Sequence, residues 1–485
     1  MSLQGLMLIA VLAPVLGALG VAVAGRSPNL REALSFAASG ITLLCVLLLA
    51  PAVLDGARPE ILMIELVPGA ALAFRLEPLG MLFSLVASVL WPVSTLYSIG
   101  YMRGNDESHQ TRFFSCFALA IACTLGVAFS ANLLTLFLFY EALTLITYPL
   151  VAHHQDDEAR SGGRVYLGYL LGTSLSLFLV AVIATWFVAG TVEFRPGGVM
   201  GGNVSNAAIG GLLALFIFGI GKAAVMPFHR WLPAAMVAPT PVSALLHAVA
   251  VVKAGVFTVV KVIVYVFGVE RIAGLSSIDW LPFIAGFTII AASVVALRSD
   301  NLKRRLAYST ISQLSYVVLA AAILAPLSVI GAALHIAAHA AGKITLFFAA
   351  GAIYTAAHKT QVSELDGIGR RMPLTMTAFA IGAISMIGLP PAAGFISKWY
   401  MLQGAVSGAH WNAVAVIALS TLLNAAYFLP IVYRSFFVEP AAGEPAHGEA
   451  PPLMVAALCI TAAATVLMFF FPDVPLALSR LMMAN

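Results

Sequence analysis

The feature that most constrains this chain is the recurrence, from one end to the other, of apolar stretches separated by short polar breaks. A helix of about 20 such residues crosses roughly 30 Å of hydrocarbon. Only 9% of the 485 residues are charged, whereas an ordinary soluble domain carries about 25%. No soluble core could hide that much apolar surface. The sequence therefore predicts an all-α integral membrane protein without a large soluble domain.

Hydropathy and breaker residues place about fourteen helices, near 2–24, 31–54, 76–101, 111–129, 131–152, 163–190, 205–226, 240–266, 280–297, 304–325, 327–354, 373–405, 410–437 and 451–471. The first lacks the basic leader of a signal peptide and runs too long as one apolar block, so it reads as a membrane span. With the N-terminus outside, alternate loops and helix ends hold fifteen basic residues on the inner face and five on the outer, the latter being Arg58, Arg75, Arg195, Arg271 and Arg480. That asymmetry supports both count and orientation, because one wrong helix would scramble it downstream. The location expected is a cell membrane, plasma or inner.

Several classes are excluded. Net charge is only +4, and no basic run with interleaved aromatics suggests nucleic acid. Cys45, Cys116, Cys123 and Cys459 lie in apolar stretches without metal or cluster spacing. Lys222 and Lys343 each follow a glycine, but neither lies in a phosphate-binding loop pattern, and no GxGxxG opens a dinucleotide fold. No cofactor, metal site or catalytic chemistry is expected, so energy must come from an ion gradient or a partner.

Two segments look broken, GIGKAAVMPFHRWLPAAMVAPTP over 219–241 and GLPPAAGFISKW over 388–399. Each sets a glycine and proline interruption beside a lysine and a tryptophan, the pattern of discontinuous helices in inverted-repeat transporters. They fall five helices apart, in the seventh and twelfth. The domains expected are 1–110 (helices 1–3), 111–266 (a five-helix repeat, helices 4–8), 280–437 (a second, inverted, helices 9–13) and 451–471 (the last helix). The competing reading is plain proline kinks, tolerated where neighbours satisfy the freed carbonyls.

The other five basic residues, Lys222, Lys253, Lys261, Lys343 and Lys398, lie inside helices. Left unpaired at helix centres they would cost about 3 kcal/mol each, so an ion or proton pathway is the default reading. Glu141 is the acidic residue placed well inside a helix, and Lys222 is its natural partner. Contact would hold the ammonium charged, and separation would let a low-dielectric site expel its proton; a static salt bridge is the alternative. His247 and Lys253 are six residues apart, about 9 Å along the axis. Lys261, nearer the helix end, is expected to snorkel to the interface. His335, His339 and Lys343 follow at four-residue steps on one helix face, a stripe suited to proton relay. With Lys398 at the end, the expected path runs Glu141, Lys222, Lys253, His247, then His339 and Lys343, then Lys398, with His335 on the same stripe.

These segments resemble a known family. FYEALTLITYPL around Glu141, the 35 residues from Gly221 to Gly255, DNLKRRLAYSTISQLSY from Asp300, HIAAHAAGK from His335 and IGLPPAAGFISKW from Ile387 are similar to the antiporter-like subunits of respiratory complex I, membrane-bound hydrogenases and multisubunit Mrp-type Na+/H+ antiporters. The resemblance covers nearly the whole chain. It implies fourteen helices, two inverted five-helix repeats, broken helices 7 and 12, and a charged path on which Glu141, Lys222, Lys253, Lys343 and Lys398 stand, with His247, His335 and His339 between. It also implies other membrane subunits as partners, and protons with a monovalent cation such as Na+ as cargo. Length and Lys398 fit the D-type Mrp subunit best. A complex I N-type chain, where the protein would be translocase-associated, or a hydrogenase-arm subunit is the alternative, and a structural scaffold a third. About a dozen residues are expected after the last helix, which tells against the complex I chain with a long lateral helix.

Overall fold

The computed structural model describes residues 1–67, 70–202, 204–440 and 447–484. Among them, eleven helices are long and apolar enough to cross a membrane. Those used below are α1 (Leu3–Val23), α2 (Pro28–Leu54), α3 (Pro78–Gly104), α4 (Gln110–Phe129), α5 (Leu133–Val151), α6 (Asp157–Ala189), α8 (Thr240–Phe267), α9 (Ser276–Arg298), α11 (Pro326–Ala357), α14 (Trp411–Phe437) and α15 (Pro452–Phe470). A twelfth, α10 (Leu302–Ala322), spans the same length. Its Lys303, Arg304 and Arg305 and its run of Ser, Thr and Gln make it the most polar of the long helices.

Two further crossings are interrupted, which brings the total among the described residues to the expected fourteen. In the first, α7 (Asn206–Gly219) stops short of the expected 226. Gly221–Ala223 forms a tight turn and Ala224 takes a left-handed φ of 54°. A helical turn at Trp231–Ala234 then leads toward α8. In the second, α12 (Pro373–Ile387) ends at Gly388, whose φ of 90° no side chain tolerates well, and α13 (Ala393–Ser407) resumes the crossing.

Local chemistry fixes many helix starts. Side chains of Ser2, Asn132, Asp156, Ser205 and Asn301 accept from backbone N–H groups of the first turn, satisfying donors that have no intrahelical partner. The Asp156 cap explains why α6 begins six residues before the expected 163, at a polar first turn that hydropathy alone passes over.

Two elements were not expected. An antiparallel hairpin, β1 (Glu60–Val67) with β2 (Ala70–Arg75), lies between α2 and α3. Its last residues anchor to the bundle, where Ala73 N donates to Thr135 Oγ1 at 3.0 Å and Arg75 pairs with Glu60 and Glu193. Beyond α15 comes a short helix, α16 (Asp473–Met483).

The centre of the bundle is α8 against α11, whose most apolar 18-residue windows are wholly buried. Around α11 pack α3, α8, α10, α12, α13, α15 and α16. In a membrane, backbones that approach this closely need small residues at the crossing. Gly255 of α8 is the clearest case, since a Cβ there would lie 2.3 Å from the backbone carbon of Lys222.

Candidate functional site

The site is built where the broken crossings meet α8 and α11. At the first break, the Lys222 backbone N–H donates to Tyr140 Oη at 3.0 Å, and Trp231 Nε1 donates to Gly221 O at 2.9 Å. These bonds hold the turn that carries the lysine. Its fully buried amine donates to Tyr140 O at 2.7 Å and to Thr144 Oγ1 at 2.6 Å. It also stands 3.2 Å from the Tyr140 ring centroid, a cation–π contact.

The expected ion pair with Glu141 is not formed. Glu141 follows Tyr140 on α5, and both its carboxylate oxygens are buried without a hydrogen-bond partner, while Lys222 and the Ser174 hydroxyl face it. Lys222 instead takes α5's own carbonyl and threonine, because the turn at 221–223 aims its side chain at the helix axis.

Gly255 brings α8 onto this break, and Lys253, two residues earlier and on another face of α8, turns toward α11. The Lys253 amine makes a direct hydrogen-bonded contact with His339 Nδ1. The His339 and His335 rings follow each other at 5.8 Å. His335 Nδ1 meets Ser397 Oγ at 2.8 Å, and its Nε2 meets Gln313 Oε1 at 3.1 Å. Gln313 Nε2 donates to Met386 O at 3.3 Å, so its oxygen must face the imidazole and His335 carries its proton on Nε2.

The same Met386 carbonyl accepts from the Lys398 amine at 2.7 Å, with Ile387 O at 3.2 Å. Those carbonyls end α12, so the lysine stands at the negative pole of a broken helix. It lies 4.5 Å from the Tyr316 ring centroid. Gly388 gives it room, since a Cβ there would come within 2.6 Å of Lys398 Cδ.

This geometry alters the expected order. The line runs Lys253, His339, His335, Gln313, Met386 O, Lys398, and His247 is not a link between Lys253 and His339. Both His247 ring nitrogens lack a partner, and the ring packs on Phe347 at 4.6 Å. Lys343 is a branch, donating to Ser309 Oγ at 2.8 Å and Leu306 O at 3.1 Å. Ser309 accepts from Tyr427 Oη at 3.0 Å, and Tyr427 in turn meets Asn424.

Lys261 corrects a second expectation. It does not snorkel but is fully buried, 3.2 Å from Glu77 Oε2, donating to Ser130 O at 2.8 Å and 4.4 Å from the Phe194 ring centroid. The hairpin, the start of α3 and the segment around Phe194 cover that end of α8, so the interface is out of reach. Sequence reasoning missed Glu77, which stands just before α3 and turns its carboxylate to Lys261, as well as Gln313, Ser397, Tyr140 and Thr144. In Glu77-Pro78 the acid precedes a helix-starting proline, the one signal that could have pointed to it.

Fold and site together define a polytopic membrane protein of the antiporter-like class, with buried amines and imidazoles strung between two broken helices. The chain belongs to the NADH:quinone oxidoreductase/Mrp antiporter transmembrane family, which residues 130–424 match. It is 34% identical over 368 residues to NADH-quinone oxidoreductase subunit N of Desulforudis audaxviator (strain MP104C), covering 74% of this chain and 71% of that one. It is 32% identical over 436 residues to a probable K(+)/H(+) antiporter subunit of Rhizobium meliloti (strain 1021), covering 87% of this chain but only 43% of that longer one. A chain in the structure of the Mrp complex from Dietzia sp. DQ12-45-1b shares the fold, with a TM-score of 0.86 at 21% identity over 100% of this chain and 98% of that one.

Proposed function

We propose that this chain moves protons along its buried row, as one subunit of a multisubunit monovalent cation/proton antiporter, with Na+ as the exchanged ion. The observation that carries the reading is the buried row Lys253, His339, His335 and Lys398, in which Lys253 meets His339, the two imidazoles lie 5.8 Å apart between ring centroids, and Gln313 and Met386 O tie His335 to Lys398. Fully buried cations of this kind are costly unless solvated by the protein; Lys222 is held by a carbonyl and a hydroxyl, Lys398 by two carbonyls and Lys253 by an imidazole, none of which neutralises the charge. A neutralising partner would trap the charge; these allow it to leave.

In this account Glu141 and Lys222 form the switch at one end. While Lys222 is protonated, the Tyr140 carbonyl and Thr144 hold it and Glu141 attracts it. The proton passes to Lys253, whose contact with His339 hands it to the imidazole pair. His335 receives it on Nδ1, and as it does the single Ser397 hydroxyl proton turns from the imidazole to Gly394 O at 3.1 Å, so that Ser397 accepts from the ring. Gln313 and the Met386 carbonyl carry no proton but hold the His335 ring and the Lys398 amine in place. In the last step an N–H bond of the His335 imidazolium therefore breaks as one forms on a neutral Lys398 amine, the proton crossing the gap through water. Lys343 lies beside the line and sets its potential, and His247 stands between the line and Lys303.

Two observations support the division into inverted repeats at 111–266 and 280–437. Asn132 and Asn301 cap α5 and α10 in the same way, five helices apart, and each backbone bridges a returning segment, at Glu193 and Gln361. We further propose a cell membrane with the N-terminus outside, on the basic-residue asymmetry, and other membrane proteins of the same complex as partners, as in the Mrp complex.

A second reading is an N-type subunit of complex I, favoured by the 34% identity to such a chain. The two differ in what drives the protons, not in the path. The test is cation-dependent proton flux in everted vesicles carrying the whole complex, for wild type, Lys222→Ala and Lys398→Ala, with assembly checked on the same membranes. Flux lost with assembly intact supports the path; flux retained, or lost only with assembly, makes these charges structural.

A further inference from the structure

The buried row must be loaded from a surface, and a cluster outside it has the chemistry to do so. On the face where Arg103, Arg112 and Lys303 lie, the Glu107 carboxylate borders two clefts. One, of about 480 Å³, is lined also by Asp106, Tyr354 and His358; the other, of about 590 Å³, by His109 and Arg112. His154 Nε2 lies 3.3 Å from Glu107 Oε2 and is partly exposed, while His153 Nε2, fully buried, is 3.9 Å from the same oxygen and 3.0 Å from Ser108 O.

Lys303, in the first turn of α10, lies behind them. Its amine donates to Ala238 O at 2.6 Å, in the stretch leading into α8, and it is within electrostatic reach of Glu107, of His154 and of His247. His247, in the wide turn Leu245–Val249 of α8, offers two unpartnered ring nitrogens. The charged and titratable groups around Glu107 and His154 are thus His153 after α5, Arg112 of α4, Asp156 at the start of α6, Lys303 of α10 and Tyr101 of α3.

We propose that Glu107 and His154 form a proton-collecting site on the basic face, which loads the buried row through Lys303 and His247. The proposal rests on the proton-translocation reading above and names where that reading's protons are taken up. Lys303 and His247 are not in hydrogen-bond contact, so an N–H bond of the Lys303 ammonium breaks as one forms on His247 with the proton relayed through water. The neutral amine takes the proton of the His154 imidazolium, and His154 is reloaded from water in the cleft. The two histidines are tuned apart. The hydrogen bond to Glu107 raises His154 above its ordinary value, so it loads near neutrality, whereas burial pulls His153 down to about 4 and keeps it a neutral prop.

The test uses the assembled complex in everted vesicles, with flux followed against pH on the basic face for Lys303→Arg and Glu107→Gln. Arginine keeps the charge and the bond to Ala238 but holds its proton at least about a hundredfold more tightly than lysine. A structural cation would therefore survive the change and a proton carrier would not. The expected result is normal assembly, flux down at least about tenfold in Lys303→Arg, and in Glu107→Gln a half-maximal flux displaced by about one unit toward lower pH. Wild-type flux in Lys303→Arg, with an unmoved profile in Glu107→Gln, would overturn the site. If Lys303→Arg does not assemble, the Glu107→Gln profile alone decides. Loss of flux in Lys222→Ala beside normal flux in Lys303→Arg would sink this inference and leave the function standing; normal flux in Lys222→Ala would sink the function itself.

Discussion

Replacing Glu141 by glutamine separates a transport role from a structural one. The carboxylate accepts no hydrogen bond and makes no salt bridge to Lys222, which is held by Tyr140 O and Thr144 Oγ1. Glutamine has nearly the same volume and leaves no partner stranded, so the change should alter stability by no more than about 1 kcal/mol. The electrostatic effect is larger. Carboxylate and ammonium attract without touching, and for unit charges about 6 Å apart at an effective dielectric of about 20 such an attraction is about 3 kcal/mol. Expressed in the barrier to proton transfer, that is on the order of a hundredfold in rate. The assay is cation-dependent flux in everted vesicles, beside thermal stability and subunit content of the purified complex. Flux should fall by about two orders of magnitude while melting and assembly stay within error of wild type. A complex that melts early or falls apart, or one that pumps normally, would refute the reasoning.

Three further outcomes follow from the same geometry. Gly255→Ala places a Cβ 2.3 Å from the Lys222 backbone, a contact backbone cannot yield to; it should cost about 1–3 kcal/mol or more, read as lost assembly in detergent. Glu77→Ala leaves Lys261 buried without its acid and should destabilise by about 3–5 kcal/mol, whereas the double change Glu77→Gln with Lys261→Met should recover most of that in melting experiments. His153 is pulled down to about 4 by burial, below the roughly 6.5 of an unfolded histidine, so the unfolded chain binds this proton first. Its contribution is therefore whole above about pH 6.5 and is lost as pH falls toward 4, by up to about 3 kcal/mol; His153→Gln should flatten the acid limb of melting temperature against pH.

The sequence carried most of the helix plan because hydropathy over 20 residues is a strong signal, and both breaks stood out through glycine and proline beside lysine. The eight residues Glu141, Lys222, His247, Lys253, His335, His339, Lys343 and Lys398 stand out in the sequence because charge inside an apolar stretch needs a reason, and their part in transport is the proposal made above. Their order was not. Whether Lys253 meets His339 or His247 depends on which faces of α8 and α11 touch, and no single chain of residues encodes that directly. Gln313 and Ser397 were invisible because uncharged polar residues in a span are common. Lys261 was misjudged because its depth depends on a hairpin and a loop whose packing has no hydropathy signature, and Glu77 escaped because it stands at a helix start where acids are usual.

The most direct test of the central claim is cation-dependent proton flux by the assembled complex carrying Lys253→Met, which removes the amine that joins the first half of the molecule to His339 and keeps the apolar stem. The path described here predicts an assembled complex with flux at the background of a Lys222→Ala complex; flux at the wild-type level would contradict it.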